Sequence, residues 1–122
     1  MFIFQNFPVY QKAEMLYREI VPYISSQKVH DYLKDQLQRA LSSIVLNVAE
    51  GSGKISRKDK KNFYVIARGS CHEGAAILRL LYCHKLDSGR LDGWGEELVI
   101  VGKMLSGIIK SLDKPVQKKT AD

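Results

Sequence analysis

Residues 47–63 read NVAEGSGKISRKDKKNF, and this stretch decides the fold because it separates two helical patterns. An apolar pattern of helical period runs into Glu50 and stops at Gly51, a residue type that commonly ends helices. Ser56 is a good N-cap for a new helix, and Asp59 stands where a capping box needs an acid. The spacing therefore predicts two helices joined by a short basic turn.

The same apolar period recurs along the rest of the chain. It predicts four helices, which run from Pro8 to about Ile24, from about His30 to Glu50, from about Arg57 to Leu86 and from about Leu91 to Leu112. Only MFIFQNF, residues 1–7, alternates as a strand does. Four helices with short connections form an antiparallel up-down-up-down bundle. We therefore predict an all-α bundle domain over residues 1–113, followed by a polar basic tail over residues 114–122.

Within the third helix, the period assigns a set of side chains to the core. They are Phe63, Ile66, Ala67, Cys71, Gly74, Ile77, Leu78 and Leu81. The neighbouring Tyr64 is rotated about one hundred degrees from Phe63. Tyr64 is predicted either to be partly buried in the bundle or to stack on a base of a single nucleic-acid strand.

Length, cysteine content and hydropathy indicate one cytoplasmic domain. The chain has 122 residues, an ordinary size for a single domain. Cys71 and Cys83 are 12 positions apart, roughly 18 Å along one helix, which is too far for a disulfide. Reduced thiols fit the cytoplasm. The first residues lack the basic region of a signal peptide, and no apolar run reaches the roughly 18 residues of a membrane span.

The formal charge of +6 is unevenly distributed. Residues 1–53 carry five basic and five acidic side chains, whereas residues 54–122 carry 14 basic and 8 acidic ones. A basic surface favours anionic partners. We predict that the basic side chains at and after the turn bind RNA or DNA: Lys54, Arg57, Lys58, Lys60, Lys61 and Arg68. The alternative interpretation is a solvated turn between two bundle helices.

Searches for catalytic and metal-binding patterns favour a protein that is not an enzyme. The segment GSGKISRK lacks the spacing of a phosphate-binding P-loop, and no strand precedes it. His72 and His84 are 12 positions apart, not at the four-residue spacing of a helical metal pair. No Cys-His or Ser-His arrangement has the surroundings of a nucleophile. We predict no metal and no cofactor.

Apolar residues outside the core stripes predict self-association. Leu46 on the second helix, Val65 and Leu80 on the third and Met104 on the fourth all lie away from the predicted core faces. A bundle helix needs only one apolar stripe, so a second partial stripe indicates contact with another subunit. Scattered surface apolar residues are the alternative.

A narrow polar stripe on the second helix has two interpretations. It consists of Gln36, Arg39, Ser43, Asn47 and Glu50, at helical spacing. It is either the solvated face of the helix or a row of hydrogen-bonded pairs across helices or between subunits. Such pairs, formed by Arg39, Asn47 and Glu50, would determine register more than stability.

The chain resembles the four-helix-bundle family of proteins encoded in intervening sequences of bacterial 23S ribosomal RNA genes. The resemblance spans about residues 7–112 and is most specific in the series SIVLNVAEG at 43–51, followed by Asp59, Phe63 and ARGS at 67–70. Val45 departs from the family pattern, which often has proline there, and CHEGAA at 71–76 is less acidic than is common in the family.

The resemblance implies a cytoplasmic homo-oligomer, a ring that is a homopentamer, with no enzyme activity. A related protein of diversity-generating retroelements is an accessory subunit of a reverse transcriptase and contacts nucleic acid. By that analogy, the partners of this chain are other copies of itself, RNA or DNA, and a protein such as a reverse transcriptase. A protein-interaction scaffold without direct nucleic-acid binding is the alternative function.

Overall fold

The computed structural model describes residues 3–115. Its four α-helices are α1 (Pro8–Ser25), α2 (Asp31–Ser52), α3 (Arg57–Leu80) and α4 (Ser88–Leu112). Two short 3-10 helices, Ile3–Asn6 and Leu81–Cys83, precede α1 and follow α3. No residue between 3 and 115 lies in a strand. The predicted all-α fold with four helices is therefore confirmed.

Side-chain caps begin three of the helices. At α3 the Ser56 hydroxyl accepts a hydrogen bond from the Asp59 N–H at 3.1 Å, which is the cap that the sequence predicts. His30 Nδ1 accepts from the Tyr32 N–H at the start of α2, and the Asp87 carboxylate accepts from the Arg90 N–H at the start of α4. Each cap satisfies a backbone donor that has no partner within its helix.

Two predicted boundaries are wrong in detail, and the strand-like segment is not a strand. The third helix ends at Leu80, not Leu86, because the chain tightens into a 3-10 turn that keeps Leu81 fully buried. The fourth helix begins earlier than Leu91, at Ser88, because Asp87 caps it. The segment predicted as strand-like forms a 3-10 helix at Ile3–Asn6, and residues 1 and 2 lie outside the described residues. Residues 116–122 of the predicted tail also lie outside them.

Neighbouring helices contact each other in antiparallel order. Ser43 of α2 meets Ser70 of α3, and the built Cβ of Gly51, later in α2, meets Tyr64, earlier in α3. The same reversal relates α3 to α4, α1 to α2 and α1 to α4. Between the helices lies one apolar core, whose largest fully buried side chains include Leu16, Ile20, Leu37, Leu41, Ile44, Leu78, Leu91, Leu98 and Leu105.

The core face of α3 is rotated from the prediction. Tyr64 is buried, with 4% of its surface exposed, whereas Phe63 is half-buried and Ile66 is 44% exposed. The cause is Gly51: a Cβ there would stand 2.7 Å from a ring carbon of Tyr64, so the missing side chain leaves the space for the ring. Phe63 instead lies under the Lys54 ammonium, 5.2 Å from the ring centre. The prediction that Phe63 and Ile66 are core residues is therefore wrong.

Candidate nucleic-acid interface

Five of the six predicted basic residues, all except Arg68, gather where the end of α2, the start of α3 and the end of α4 meet. We call this the basic end and define it as residues 3–11, 48–64 and 103–114. It holds eight basic and three acidic side chains. The opposite end, residues 18–39 and 79–97, holds seven of each. The excess charge is thus concentrated at one end of the bundle.

Lys60 is part of the structure of the turn. Its ammonium donates hydrogen bonds to the carbonyl oxygens of Gly51, at 3.4 Å, and Ser52, at 3.1 Å. These carbonyls belong to the last turn of α2, where a cation also stabilises the negative end of the helix dipole. Lys60 therefore caps α2 and is less available to a ligand than the sequence suggests.

Three more predicted residues are tied to α4 by exposed contacts. The Lys61 ammonium is 2.8 Å from the Asp113 carboxylate, Arg57 donates to the Lys114 carbonyl at 2.6 Å, and Arg68 donates to the Ser106 hydroxyl at 3.4 Å. Exposed pairs of this kind contribute little to stability. They can therefore be exchanged for a phosphate at small cost.

Lys58 and Lys54 differ in their surroundings. Lys58 is exposed, and its side chain makes no hydrogen bond or ion pair with any residue between 3 and 115. Lys54 is half-buried, 3.8 Å from the Glu50 carboxylate and over the Phe63 ring. Lys58 is thus the most accessible cation of the predicted set.

The contacts of Arg57, Lys61 and Arg68 with α4 define a groove between two helices, the α3–α4 groove. These three residues lie at spacings of four and seven on one face of α3. On α4, Lys103 and Lys110 are three and four positions from Ser106, so they lie on the face that Arg68 contacts. Both lysines are exposed. The sequence prediction did not include them, because Lys103 is isolated in the chain and Lys110 stands closer to the basic tail, although their seven-residue spacing indicates a shared face.

Three of the four apolar residues predicted at an oligomer interface are exposed. The exposed fractions are 62% for Leu46, 38% for Val65 and 57% for Leu80. Met104 is half-buried and packs on the core, so its predicted position outside the core is wrong. It lines a cavity of about 460 Å³ at the basic end together with apolar residues such as Val9 and Ile108.

The polar stripe of α2 contains one bond that crosses to another helix. Ser70 donates to the Ser43 hydroxyl at 2.7 Å, and Asn47 donates to the Ser43 hydroxyl and carbonyl at 3.0 and 2.8 Å. Arg39 pairs with Asp35 within the helix. Ser43 therefore links α2 to α3, whereas the described partners of Arg39, Asn47 and Glu50 lie in α2 or just after it. Pairing between subunits stays a prediction.

Burial changes the acid–base properties of two described side chains. Burial raises the pKa of the Cys71 thiol to about 12, which keeps it protonated and unreactive. Burial also raises the pKa of Tyr64. Between residues 3 and 115 no cluster of His, Cys, Asp or Glu could hold a metal ion. None of the described helices is long and apolar enough to span a membrane.

Comparisons with known proteins place the chain in a family. No curated protein matches the sequence. A crystal structure of a protein with unknown function from the S23 ribosomal protein family of Bacteroides thetaiotaomicron has a similar fold, with a TM-score of 0.77 and 25% sequence identity. The match covers 84% of this chain and 98% of that one. The family model described as 23S rRNA-intervening sequence protein matches residues 5–107. The chain belongs to the 23S rRNA-intervening sequence protein family.

Proposed function

We propose that this chain is a non-enzymatic, cytoplasmic homo-oligomer, a pentamer, that binds RNA or DNA through its basic end. The observation that supports this function most directly is the imbalance of eight basic against three acidic side chains at the basic end, next to seven of each at the opposite end. An anionic polymer is the partner that such an end attracts.

The contacts would be made mainly to phosphates. Lys58 is free among the described residues, and Arg57, Lys61 and Arg68 need only release exposed partners on α4. Cations on flexible stems bind phosphates without reading base edges. We therefore expect little sequence preference and a steep loss of affinity with salt.

Fluorescence anisotropy with labelled RNA and DNA of mixed sequence tests the proposal. Lys58→Glu/Lys61→Glu is expected to weaken binding more than tenfold at roughly 50 mM salt and to flatten the salt dependence. The matched control, Lys28→Glu/Lys85→Glu, reverses the same charge at the opposite end and is expected to change affinity much less. Absence of RNA and DNA association at low salt would rule out the function.

Self-association is supported by the exposed apolar side chains of α2 and α3. Leu46, Val65 and Leu80 lie in water in the single chain, and burial of such groups is the usual drive for association. Leu46→Glu is expected to lower the mass measured by light scattering, whereas Met15→Glu, at an exposed apolar position of α1, leaves it unchanged. A wild-type chain that stays folded and strictly monomeric would contradict the oligomer.

A protein-interaction scaffold is the second candidate. The same exposed residues, Leu46, Val65 and Leu80, could receive a different protein, such as a reverse transcriptase by family analogy. This function predicts that Lys58→Glu/Lys61→Glu leaves capture of the protein partner intact while Leu46→Glu abolishes it. Loss of this capture in Lys58→Glu/Lys61→Glu, with capture intact in Leu46→Glu, supports the nucleic-acid function.

A further inference from the structure

The α3–α4 groove continues from the basic end into a cavity of different chemistry. The cavity has a volume of about 330 Å³, near the lower limit for small-ligand sites. Its apolar floor includes Ala75, Leu78 and Leu91, and one wall is the ring of Tyr82, which is 43% exposed. An apolar floor beside an exposed ring is suited to a stacked nucleobase.

The charge changes sign along the groove. Toward the basic end it carries Arg57, Lys61 and Arg68 on α3 and Lys103 and Lys110 on α4, with Asp113 as the acid among them. At the cavity the carboxylates of Asp92 and Glu96 lie four residues apart on one face of α4, with Arg79 opposite on α3. One part of the groove therefore attracts phosphates, and the other places two acceptors beside an aromatic ring.

We propose that the α3–α4 groove binds the 3′ end of a single RNA strand, with the terminal nucleoside in the cavity beside Tyr82. The inference rests on the proposed nucleic-acid function and names its substrate. Phosphates lie along Arg68, Lys103 and Lys61. The last nucleotide of a strand with a free 3′ end has no phosphate beyond its ribose, so it can enter a site that contains two carboxylates.

The carboxylates also select the sugar. A 3′-terminal ribose presents two neighbouring hydroxyl donors, and Asp92 and Glu96 present two acceptors one helical turn apart. A deoxyribose end has only one of the two hydroxyls. The terminal base must be unpaired to stack on Tyr82, which requires a single strand.

Gly95 provides a variant that fills the cavity without disturbing the core. It lines the cavity, and a Cβ built there meets no atom within 4 Å. Gly95→Leu therefore places a side chain in the space assigned to the nucleoside. Gly107→Leu is the matched control, because Gly107 also lies in α4 and its built Cβ also meets no atom within 4 Å. Leucine is a better helix former than glycine, so both variants should fold.

The experiment measures anisotropy of an unstructured, 5′-labelled RNA of about ten nucleotides. We expect the 3′-hydroxyl RNA to bind roughly tenfold more tightly than the same RNA with a 3′-phosphate, because that phosphate would face two carboxylates against one cation, Arg79. Gly95→Leu and Asp92→Asn/Glu96→Gln should each remove this preference, and Gly107→Leu should retain it. Tyr82→Ala should weaken 3′-hydroxyl RNA at least about fivefold, with Tyr32→Ala as the exposed-tyrosine control.

The outcomes separate this inference from the function on which it rests. RNA that binds equally well with either 3′ end overturns the end-binding inference and leaves the proposed function standing. Loss of the preference in Gly107→Leu as well as in Gly95→Leu overturns the assignment to the cavity. No association of any RNA or DNA at low salt overturns both.

Discussion

α3 and α1 pack against neighbouring helices through side chains of different size. α3 approaches its neighbours at small residues: a Cβ on Gly74 would lie 3.9 Å from the Ala40 Cβ and 3.2 Å from Leu98, and one on Gly102 would lie 3.9 Å from the Cys71 Cβ. α1 meets α4 through large side chains. Two helices approach closely where the contacting residues are small, and they stay farther apart where large side chains fill the space between them.

The α1–α4 side is held by aromatic and charged groups. Tyr23 packs on Trp94 with ring centres 5.2 Å apart, and the Trp94 N–H donates to the Glu19 carboxylate at 3.3 Å. The Lys12 ammonium pairs with the Glu97 carboxylate. We expect the contact between α1 and α4 to be sensitive to loss of volume and the contact between α2 and α3 to be sensitive to gain of volume. The four predictions below test this difference.

The largest effect is expected at Trp94. Trp94→Ala removes the whole indole ring of a residue that is 9% exposed and leaves a cavity between α1 and α4, at a cost of about 3–5 kcal/mol in the free energy of unfolding. Trp94→Phe should cost less because it keeps a ring in contact with Tyr23. Urea unfolding followed by circular dichroism measures both. Equal costs for the two variants would contradict a role based on volume.

Gain of volume is tested at Gly51. Gly51→Ala places a methyl group 2.7 Å from the Tyr64 ring, and displacement of the ring should cost about 1–3 kcal/mol of stability. The double variant Gly51→Ala/Tyr64→Leu should be less destabilised than the sum of the two single changes. Gly69→Ala on α3, where a Cβ meets nothing within 4 Å, is the control and should be neutral or stabilising. Additive costs in the double variant would argue against the contact.

The serine pair between α2 and α3 is expected to have a smaller effect. Ser43→Ala leaves the buried Ser70 hydroxyl without its acceptor and should destabilise the chain by about 1 kcal/mol. Ser43→Ala/Ser70→Ala removes both partners and should cost less than the sum of the single changes. Thermal unfolding of the four chains completes the cycle. A coupling of zero would mean that the bond contributes nothing to the interface.

The smallest effects are expected for the two ion pairs to α4. Lys61→Met and Lys12→Met should each change stability by less than about 1 kcal/mol because all four partners are partly exposed. The loss should be larger for Lys12, because its pair with Glu97 is the less exposed one. Unfolding at low and high salt measures both, and salt should reduce the loss for Lys61. A larger loss for Lys61 would reverse the comparison.

The short-range features of the chain were predictable because they depend on neighbours in sequence. Ser56 begins a helix because its hydroxyl bonds the N–H of Asp59, three residues on. The end of the third helix was less predictable, since Leu81 is buried, as an α-helical pattern predicts, although the chain is 3-10 at that point. Apolar period alone cannot distinguish the two.

The candidate site was predictable as a composition and not as a set of contacts. The run of five basic side chains within residues 54–61 is visible in the sequence alone. The capping role of Lys60, the pairing of Lys61 with Asp113 and the alignment of Lys103 with Arg68 required α2 or α4 to be in place. These partners lie up to 52 positions away in the chain.

The amino-acid sequence by itself determined that this chain is a four-helix protein with its positive charge concentrated at one end, because helical period, caps and charge runs act over a few residues. Only the tertiary structure decided that Tyr64 and not Phe63 enters the core, that Met104 turns inward, and that a cationic groove ends in a cavity with two carboxylates. Each of these outcomes depends on how the side chains of one helix fit against a neighbouring helix. At Tyr64 the space for the ring is left by Gly51, which lies on a different helix.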